Sequence, residues 1–330
     1  MVLRKVLKGE RLSFEEALEL FSGIFDGKLS EVQTAAVLSV MAVRGESPEE
    51  LAAAVECAQK RKVRVEVDLP RLVDTCGTGG DGRGTFNVST ASALVVRSLG
   101  IPVAKHGNRA VTGSVGSADV VQMLGLPVAE DADSARAMLE ERGFAFLFAP
   151  KFHPAFARVA PVRRQLPVPT VFNLVGPLIN PCPLTAQLVG VYSPEKAEVV
   201  ARALALLGRS NVVVVCGEDG IDEVDTRGAT LIFEVEDGRV KGWRFEAKKI
   251  VGREFEIPRV SSPDEAKETL MGAVSGEFEE ASVAAAINAA FVLYAQGICV
   301  VLEGFGRAME AIKEGAVVKT LEELRDGVSG

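Results

Sequence analysis

The sequence predicts an α/β protein: a small helical domain, then a larger domain with a mostly parallel central sheet flanked by helices. Two observations predict it. The first sixty residues carry only helix signals, whereas from about residue 69 short apolar runs alternate with helical stretches. The chain has 330 residues, 48% hydrophobic and 25% charged, which is enough to bury the cores of about two domains.

Three helices are predicted in the N-terminal segment from the residues at their starts. Ser13 and Ser30 are followed three residues later by Glu16 and Gln33, which is the capping-box pattern. Ser47 is followed by a proline at the first helical position. Apolar residues at helical spacing come next, and no strand pattern interrupts them.

The larger domain is predicted from the alternation of buried strands and helices. Strands are expected at 72–76, 101–105, 144–149, 186–192 and 211–217. Helices are expected between them at 89–99, 116–124, 132–142 and 195–208. Such alternation indicates a largely parallel sheet covered on both faces. Residues 230–246 break it, and their Glu236-Asp237-Gly238 turn predicts a hairpin appended to the sheet.

Residues 150–183 contain eight of the fifteen prolines. Fixed φ and missing donors predict a path of short elements and turns, which we expect to return the chain to the helical unit. The predicted helical domain is therefore 1–66, completed by part of 155–183. The α/β domain is 67–154 with 184–330.

The uncharged stretch 281–302 is long enough to span a bilayer. It is interrupted by Asn288, Gln296 and Gly297, whereas a membrane span should be one unbroken apolar helix. We therefore expect a buried, alanine-rich helix that ends at Gly297, a short strand at 298–302, and no membrane association.

Charge and cysteine content exclude several classes of protein. The net charge of −8 makes the chain a poor bulk binder of nucleic acid or of anionic membranes. The five cysteines are scattered and form no CxxC pair, so neither a disulfide framework nor a zinc knuckle is predicted. Charges come too early in the N-terminus for a signal peptide, and we expect a cytoplasmic protein.

The first candidate site is a glycine-rich loop after strand 72–76. Its glycines let the backbone approach a ligand, and Ser89 and Thr90 begin a helix whose N-terminus favours an anion. GTGGDG fits the dinucleotide pattern, but no acidic residue for the ribose occurs in 82–118. No GK[ST] follows, which excludes a Walker loop. A phosphate site is favoured over a merely flexible turn.

The same window, 82–118, is basic. It contains Arg83, Arg97, Lys105 and Arg109 and no acid, which predicts a polyanionic ligand beside the loop. Arg97 is expected on a helix surface. KHGNR, which begins at Lys105, follows a strand, and ligands of open α/β sheets bind at the carboxyl ends of strands.

An acidic group follows strand 211–217, where Asp222 and Glu223 lie among Glu218, Asp219 and Asp225. Carboxylate oxygens suit Mg²⁺, which bridges to phosphate. The alternative is a solvated acidic turn, which would be the better interpretation of the motif by itself.

A last group lies in the proline-rich segment. Arg163 and Arg164 can hold a carboxylate through a bidentate pair, and we expect one to do so and the other to make a structural salt bridge. The chain has two histidines, His106 and His153. A lone histidine is usually a surface or satisfied core residue, and a site role for both is expected only from the family resemblance described next.

In combination these residues resemble a known family. CGTGGD, KHGNR, GSADV, HPAFARVAPVRR, VFNLVGPLINP and GIDEV occur in the order seen in anthranilate phosphoribosyltransferases, over nearly the whole chain. The resemblance implies a helical domain hinged over an α/β domain. It also implies transfer of the phosphoribosyl group from phosphoribosyl pyrophosphate (PRPP) to the amino nitrogen of anthranilate in tryptophan biosynthesis, with release of pyrophosphate, two Mg²⁺ ions and a homodimer.

The resemblance also assigns residues, motif by motif. PRPP would be bound by Gly77, Thr78, Gly79, Gly80, Asp81, Thr85, Asn87, Val88, Ser89, Thr90 and Lys105. Anthranilate would be bound by Gly77, His106, Asn108, His153, Arg163 and Pro177. Mg²⁺ would be held by Ser89, Asp222 and Glu223, partly through pyrophosphate and water. The aromatic amine is neutral near pH 7, so no general base is assigned, and His106 is the one candidate for accepting a proton.

One segment departs from the family pattern, and two rival functions are disfavoured. Ala110 stands where the family usually has serine and Ser114 where it has lysine, so one charge near the phosphates is missing.

A nucleoside phosphorylase of the same broad fold is disfavoured by the double-arginine and GIDEV motifs. A nucleic-acid-binding protein on this scaffold would need a basic groove with stacking aromatics, and aromatics are only 6% of the chain.

Overall fold

The computed structural model describes residues 2–109 and 115–326. The N-terminal helices are α1 (Val2–Leu7), α2 (Phe14–Phe25), α3 (Glu31–Arg44) and α4 (Pro48–Gln59). Ser13, Ser30 and Ser47 cap α2, α3 and α4 with complete capping boxes, which satisfy backbone N–H groups that would otherwise lack partners. The three predicted helix starts are confirmed.

The larger part of the chain is built on one sheet. Its strands are β1 (Val73–Gly77), β2 (Val103–Gly107), β3 (Val128–Ala129), β4 (Phe144–Phe148), β5 (Ala186–Gly190), β6 (Val212–Gly217), β7 (Ala229–Glu236) and β8 (Arg239–Glu246). In the described residues they form a sheet in the order β3-β4-β2-β1-β5-β6-β7-β8. The first six strands pair in parallel, whereas β7 and β8 form the predicted antiparallel hairpin at the edge. The predicted fold class is confirmed.

Helices α5 (Val88–Ser98), α6 (Ser117–Met123) and α7 (Ala132–Arg142) connect the early strands. After β4 the chain forms the predicted short elements: α8 (Ala149–Phe152), a 3₁₀ turn (Pro154–Arg158), α9 (Ala160–Gln165), α10 (Val171–Val175) and a second 3₁₀ turn (Gly176–Ile179). The elements from the first 3₁₀ turn onward share a core with α2, α3 and α4. In that core Phe156 and Phe172 pack edge to face against Phe25, with ring centroids 5.2 and 5.6 Å apart.

The remaining helices are α11 (Pro194–Leu206), α12 (Lys248–Val251), α13 (Pro263–Ser275), α14 (Glu279–Ala295), α15 (Val301–Lys313) and α16 (Ala316–Asp326). Helices α11 and α14 lie against the sheet, whereas α13, α15 and α16 pack on α5 and on one another. Helix α14 is the predicted alanine-rich helix, buried along almost its whole length. Among the described residues no single helix is long and apolar enough to cross a membrane. Helices α13 and α14 pass that test only together, and they are bent by 71° where they meet.

The strand predicted at 298–302 is wrong, because α15 already begins at Val301. Apolar side chains continue inward at helical spacing, at Val301, Ala308 and Ile312. The neighbouring Val300 and Leu302 are 63% and 62% exposed. The run of branched residues therefore marks the start of an amphipathic helix and not a buried strand.

Candidate active site

The glycine-rich loop leaves the carboxyl end of β1 and meets the acidic loop that follows β6. The backbone N–H of Gly79 donates to Asp222 Oδ2 at 2.7 Å, and that of Thr78 donates to the carbonyl of Gly190 at 2.9 Å. A side chain at Gly77 would collide with the Asp222 carboxylate. Gly79 and Gly80 have φ of +62° and +79°, a region that favours glycine. The glycines therefore permit both the turn and the close approach of the acidic loop.

Asp222 and Glu223 are buried, with only 7% and 9% of their surfaces exposed. Burial, and then the charge of Asp81, raises the pKa of Asp222 to about 6. Burial, and then Asp222, raises the pKa of Glu223 well above its usual value. Neither carboxylate has an ion-pair partner among the described residues. The alternative of a solvated turn is therefore wrong for these two residues.

The other acids of the cluster are partnered. Glu218 pairs with Arg244 at 2.7 Å, and Asp219 pairs with Arg83 at 3.0 Å. Asp225 accepts the backbone N–H of Arg227 and thereby closes its own turn. Glu218 and Asp219 are therefore neutralised by arginines, whereas Asp222 and Glu223 have no such partner among the described residues.

Asp81 adds a third carboxylate to this pair. Its Oδ1 accepts the N–H of Arg83, and its buried Oδ2 has no hydrogen-bond partner in the described part of the chain. No group of three or more His, Cys, Asp or Glu side chains there is arranged to hold a metal ion by itself. Buried carboxylates that lack cationic partners nevertheless fit Mg²⁺, which keeps waters and shares ligands with phosphates.

Lys105 is the buried cation on the opposite side of the loop. Its Nζ donates to the carbonyl of Thr75 at 2.7 Å, and its charge lowers the pKa of Glu223. A backbone hydrogen bond from Ser89 lowers the same pKa, which places the start of α5 beside Glu223. Buried Thr90 Oγ1 and Asn87 Oδ1 have no hydrogen-bond partner in the described residues. The structure thus brings the predicted PRPP and metal residues together.

Three predicted residues contribute in other ways. Val88 is fully buried in the core, so only its backbone faces the loop. Thr85 pairs with Arg259 through a β-bridge that fixes the far end of the loop. Asn108 is exposed, and its Oδ1 accepts the N–H of Arg109 at 2.8 Å. The family departures at 110 and 114 lie outside the described residues.

Several basic residues of the window 82–118 already have protein partners, which the sequence did not predict. Arg83 pairs with Asp219, and Arg109 lies 3.7 Å from a carboxylate oxygen of Asp119. Arg97 is not a simple surface residue, because it is half-buried and donates to the carbonyl of Arg142 at 2.7 Å. Lys105 therefore remains the principal cation at the loop.

The two histidines meet on the other side of the loop. The rings of His106 and His153 lie 5.1 Å apart, edge to face. Burial is the main reason why the pKa of His106 lies well below its usual value, and burial, with the charge of Lys62, lowers that of His153 to about 4. Both rings are therefore neutral near pH 7. His106 Nε2 and both ring nitrogens of His153 find no hydrogen-bond partner within the described ranges.

Arg163 is half-buried in α9, and burial lowers its pKa. It makes no ion pair with any described residue, and neither does exposed Arg164. The structural salt bridge expected of one arginine is therefore wrong. A half-buried guanidinium without an anion is suited to bind one from a ligand.

Sequence reasoning missed a set of polar residues beneath the site. Asp74, Asn180 and Gln187 are buried, and the side-chain amides of Asn180 and Gln187 both donate to the carboxylate of Asp74. Gln187 also donates to the carbonyl of Pro177 at 2.7 Å. The available signal was an acidic residue inside an apolar strand, because such a residue is stable only with partners.

Comparisons with known proteins place this chain in a family. Residues 1–61 match the helical bundle domain of the glycosyl transferase family, and residues 69–318 match its a/b domain. The anthranilate phosphoribosyltransferase of Pyrobaculum arsenaticum is 46% identical over 323 residues, covering 98% of this chain and 96% of the relative. The chain belongs to the anthranilate phosphoribosyltransferase family. The expectation of a glycosyltransferase enzyme is confirmed.

Solved anthranilate phosphoribosyltransferases share the fold over the whole chain. The enzyme from Thermus thermophilus superposes with a TM-score of 0.90 at 36% identity, covering 100% of this chain and 99% of its own. The Saccharomyces cerevisiae enzyme, in complex with PRPP and Mg, gives 0.86 at 30% identity, covering 99% and 96%. The same yeast enzyme has also been solved with 4-fluoroanthranilate, with a TM-score of 0.85 at 29% identity.

Proposed function

We propose that this chain transfers the phosphoribosyl group from PRPP to the amino group of anthranilate, giving N-(5-phosphoribosyl)anthranilate and pyrophosphate in tryptophan biosynthesis. The observation that carries the proposal is the hydrogen bond from the Gly79 N–H to buried Asp222, because it joins a phosphate-type loop to an acidic pair that has no ion-pair partner in the described residues. The family membership supports the same reaction.

PRPP is bound by the glycine loop and the start of α5. Backbone N–H groups around Gly80 and Ser89 donate to phosphate oxygens, as at other helix N-termini. Lys105 adds a buried positive charge. Thr90 and Asn87 offer polar atoms that have no partner elsewhere in the described chain.

Two Mg²⁺ ions are proposed, held by Asp222 and Glu223, with Asp81 and Ser89 beside them. The support is the set of buried carboxylates without cations and the Mg complex of the yeast relative. Bound Mg²⁺ neutralises negative charge on a departing pyrophosphate.

Anthranilate is bound between His106, His153 and Arg163, with Asn108, Gly77 and Pro177 completing the site. Arg163 takes its carboxylate in a charge-assisted pair. The aromatic amine is itself neutral near pH 7, so its lone pair is free to attack C1 of the ribose as pyrophosphate leaves, and the nitrogen then loses its proton to pyrophosphate or water. The rings of His106 and His153, neutral because burial lowers their pKa, place no positive charge beside the amine. The main contribution of the protein is to position that amine and to exclude water, so no general base is needed.

The wider organisation is also proposed. We propose the same domain boundaries as in the sequence analysis: residues 1–66 with part of 155–183 form the helical domain, and residues 67–154 with 184–330 form the α/β domain. Exposed Leu7, Val32 and Val43 on α1 and α3 support a homodimer formed through the helical domain, which sedimentation velocity would test. Five free thiols support a cytoplasmic location.

An anthranilate-fluorescence assay tests the proposed reaction. Consumption of anthranilate should require both PRPP and Mg²⁺ and should stop with EDTA. Folded protein that binds PRPP but consumes no anthranilate would contradict the assignment of the acceptor.

A further inference from the structure

Asp74 is a fully buried carboxylate in β1 to which neither the reaction nor the family motifs assign a role. Its exposed surface is 0%, and it lies three residues before the glycine loop. A buried acid is stable only where donors surround it. Its partners therefore indicate what it does.

Every contact of Asp74 in the described structure comes from a donor. Oδ1 accepts the backbone N–H of His106 at 3.3 Å. Oδ2 accepts the side-chain amides of Asn180 at 2.9 Å and Gln187 at 3.2 Å. The charge of Lys105 acts on it as well. A carboxylate suits this position because both of its oxygens accept, whereas an amide would turn an NH₂ group toward one set of donors.

These donors connect the two sides of the acceptor site. His106 belongs to β2, whereas Gln187 belongs to β5 and donates from the same Nε2 to the carbonyl of Pro177 at 2.7 Å. Asn180 follows the 3₁₀ turn that contains Pro177, and it also donates to Ala104 in β2 at 2.8 Å. The carboxylate of Asp74 is thus shared by groups that fix His106 and groups that fix Pro177.

A further contact ties in the segment that leaves the helical domain. Lys62 Nζ donates to the carbonyl of Asn180 at 3.2 Å. Two segments run from the helical unit toward the sheet, one after α4 and one after the second 3₁₀ turn. They therefore meet at Asn180, which is hydrogen-bonded to Asp74.

We propose that Asp74 is a positioning residue for the acceptor: through Gln187 and Asn180 it sets the separation of His106 and Pro177, and hence the fit of anthranilate. This inference rests on the proposed assignment of the acceptor site. Asp74 itself touches neither substrate. Its influence should therefore appear mainly in anthranilate binding. PRPP binding should change little, because the loop of Gly79 and Asp222 lies outside this set of hydrogen bonds and Lys105, whose charge acts on Asp74, is held by the carbonyl of Thr75.

The test is a steady-state comparison of wild type, Asp74→Asn and Gln187→Met, with both substrates varied. Asp74→Asn should raise the KM for anthranilate about tenfold, because a small displacement of binding groups is costly in an oriented site. Gln187→Met removes the hydrogen bonds of Gln187 to Asp74 and to Pro177 but leaves those of Asp74 with His106 and Asn180, and it should raise the KM for anthranilate about threefold. The KM for PRPP should stay within about twofold in both variants.

Ser282→Ala is the matched control. Ser282 lies in α14 and is also almost completely buried, and its Oγ donates to the carbonyl of Ala273 in α13 at 2.9 Å. It should lower the melting temperature and leave both KM values unchanged. Equal rises in the two KM values, or a change in melting temperature alone, would overturn the role of Asp74. If Asp74→Asn does not fold, Gln187→Met decides the question by the same criteria.

Arg163→Ala in the same assay separates failure of this inference from failure of the proposed site. If Arg163→Ala raises the anthranilate KM and the Asp74 and Gln187 variants do not, only the positioning role is wrong. If none of the three changes it, the acceptor site itself is misplaced.

Discussion

Arg163 and Arg164 are neighbours in one short helix, yet only Arg163 is half-buried. Removing a charge-assisted contact to a carboxylate costs about 1.5–3 kcal/mol. Arg163→Ala should therefore raise the KM for anthranilate about 10- to 100-fold and leave that for PRPP nearly unchanged. Steady-state kinetics with each substrate varied would measure both values.

Arg164→Ala is the matched control for that experiment. It removes the same charge from the exposed side of α9 and should leave both KM values near wild type. Equal effects of the two substitutions would indicate that Arg163 acts through the general field of the helix and not by contact with anthranilate.

Asp222 and Glu223 make the second prediction for single residues. Asp222→Asn with Glu223→Gln should raise the Mg²⁺ concentration for half-maximal activity at least about tenfold, because the ligand oxygens lose their charge. Without Mg²⁺ the double variant should melt no lower than wild type, because it relieves two buried carboxylates of their desolvation cost. Thermal unfolding with and without Mg²⁺ reports both effects, since a bound ion stabilises only the form that binds it.

Glu218→Gln is the control for the metal prediction, because Glu218 lies in the same loop but is exposed and paired with Arg244. Its Mg²⁺ profile should match that of wild type. A double variant with an unchanged profile would mean that the acidic pair does not hold the metal.

At the scale of elements, the sequence predicted helix starts well, because capping depends only on residues within one helical turn. A serine cap followed by Glu16 or Gln33 fixes a helix start within four residues, and the structure has both capping boxes. The stretch at 298–302 failed because branched residues suit a strand as well as the first turn of an amphipathic helix. Only the packing of α15 against α14 decides between them.

The contact between α14 and α15 gives a prediction for an element. A Cβ at Gly304 would lie 3.1 Å from Ala290 Cα, whereas a Cβ at Gly306, in the same helix, would meet nothing within 4 Å. Gly304→Ala should lower the free energy of unfolding by about 1–3 kcal/mol through overpacking. Gly306→Ala should raise it by about 0.5–1 kcal/mol, because alanine loses less backbone entropy in a helix. Urea denaturation would measure both, and two stabilising substitutions would show that the helices can move apart.

At the scale of the whole molecule, the site is assembled from segments far apart in sequence. The motifs identified Asp222 and the glycine loop separately, and a parallel sheet explains why both reach one edge. The sequence did not reveal that Asp74 joins β2 and β5, because that depends on the strand order, which places β1 between them. Nor did it reveal the pairing of Arg83 with Asp219, which requires two loops to be adjacent.

The histidine pair makes the stability of the whole protein depend on pH. The folded-state pKa of His153 is lowered to about 4, mainly by burial, whereas an unfolded histidine titrates near 6.5. Above about pH 6.5 both states are neutral and His153 costs nothing. As the pH falls from about 6.5 toward 4, the unfolded state binds a proton that the folded state cannot, and the free energy of unfolding falls by about 1.4 kcal/mol per pH unit. Asp222 has the opposite effect on the free energy of unfolding, because its pKa is raised in the folded state.

The measurement is therefore the difference in unfolding free energy between wild type and His153→Gln, by urea denaturation from pH 7.5 to 5, in which the contribution of Asp222 cancels. The advantage of wild type over His153→Gln should shrink steadily below pH 6.5, and a difference independent of pH would mean that His153 is protonated without cost in the folded protein.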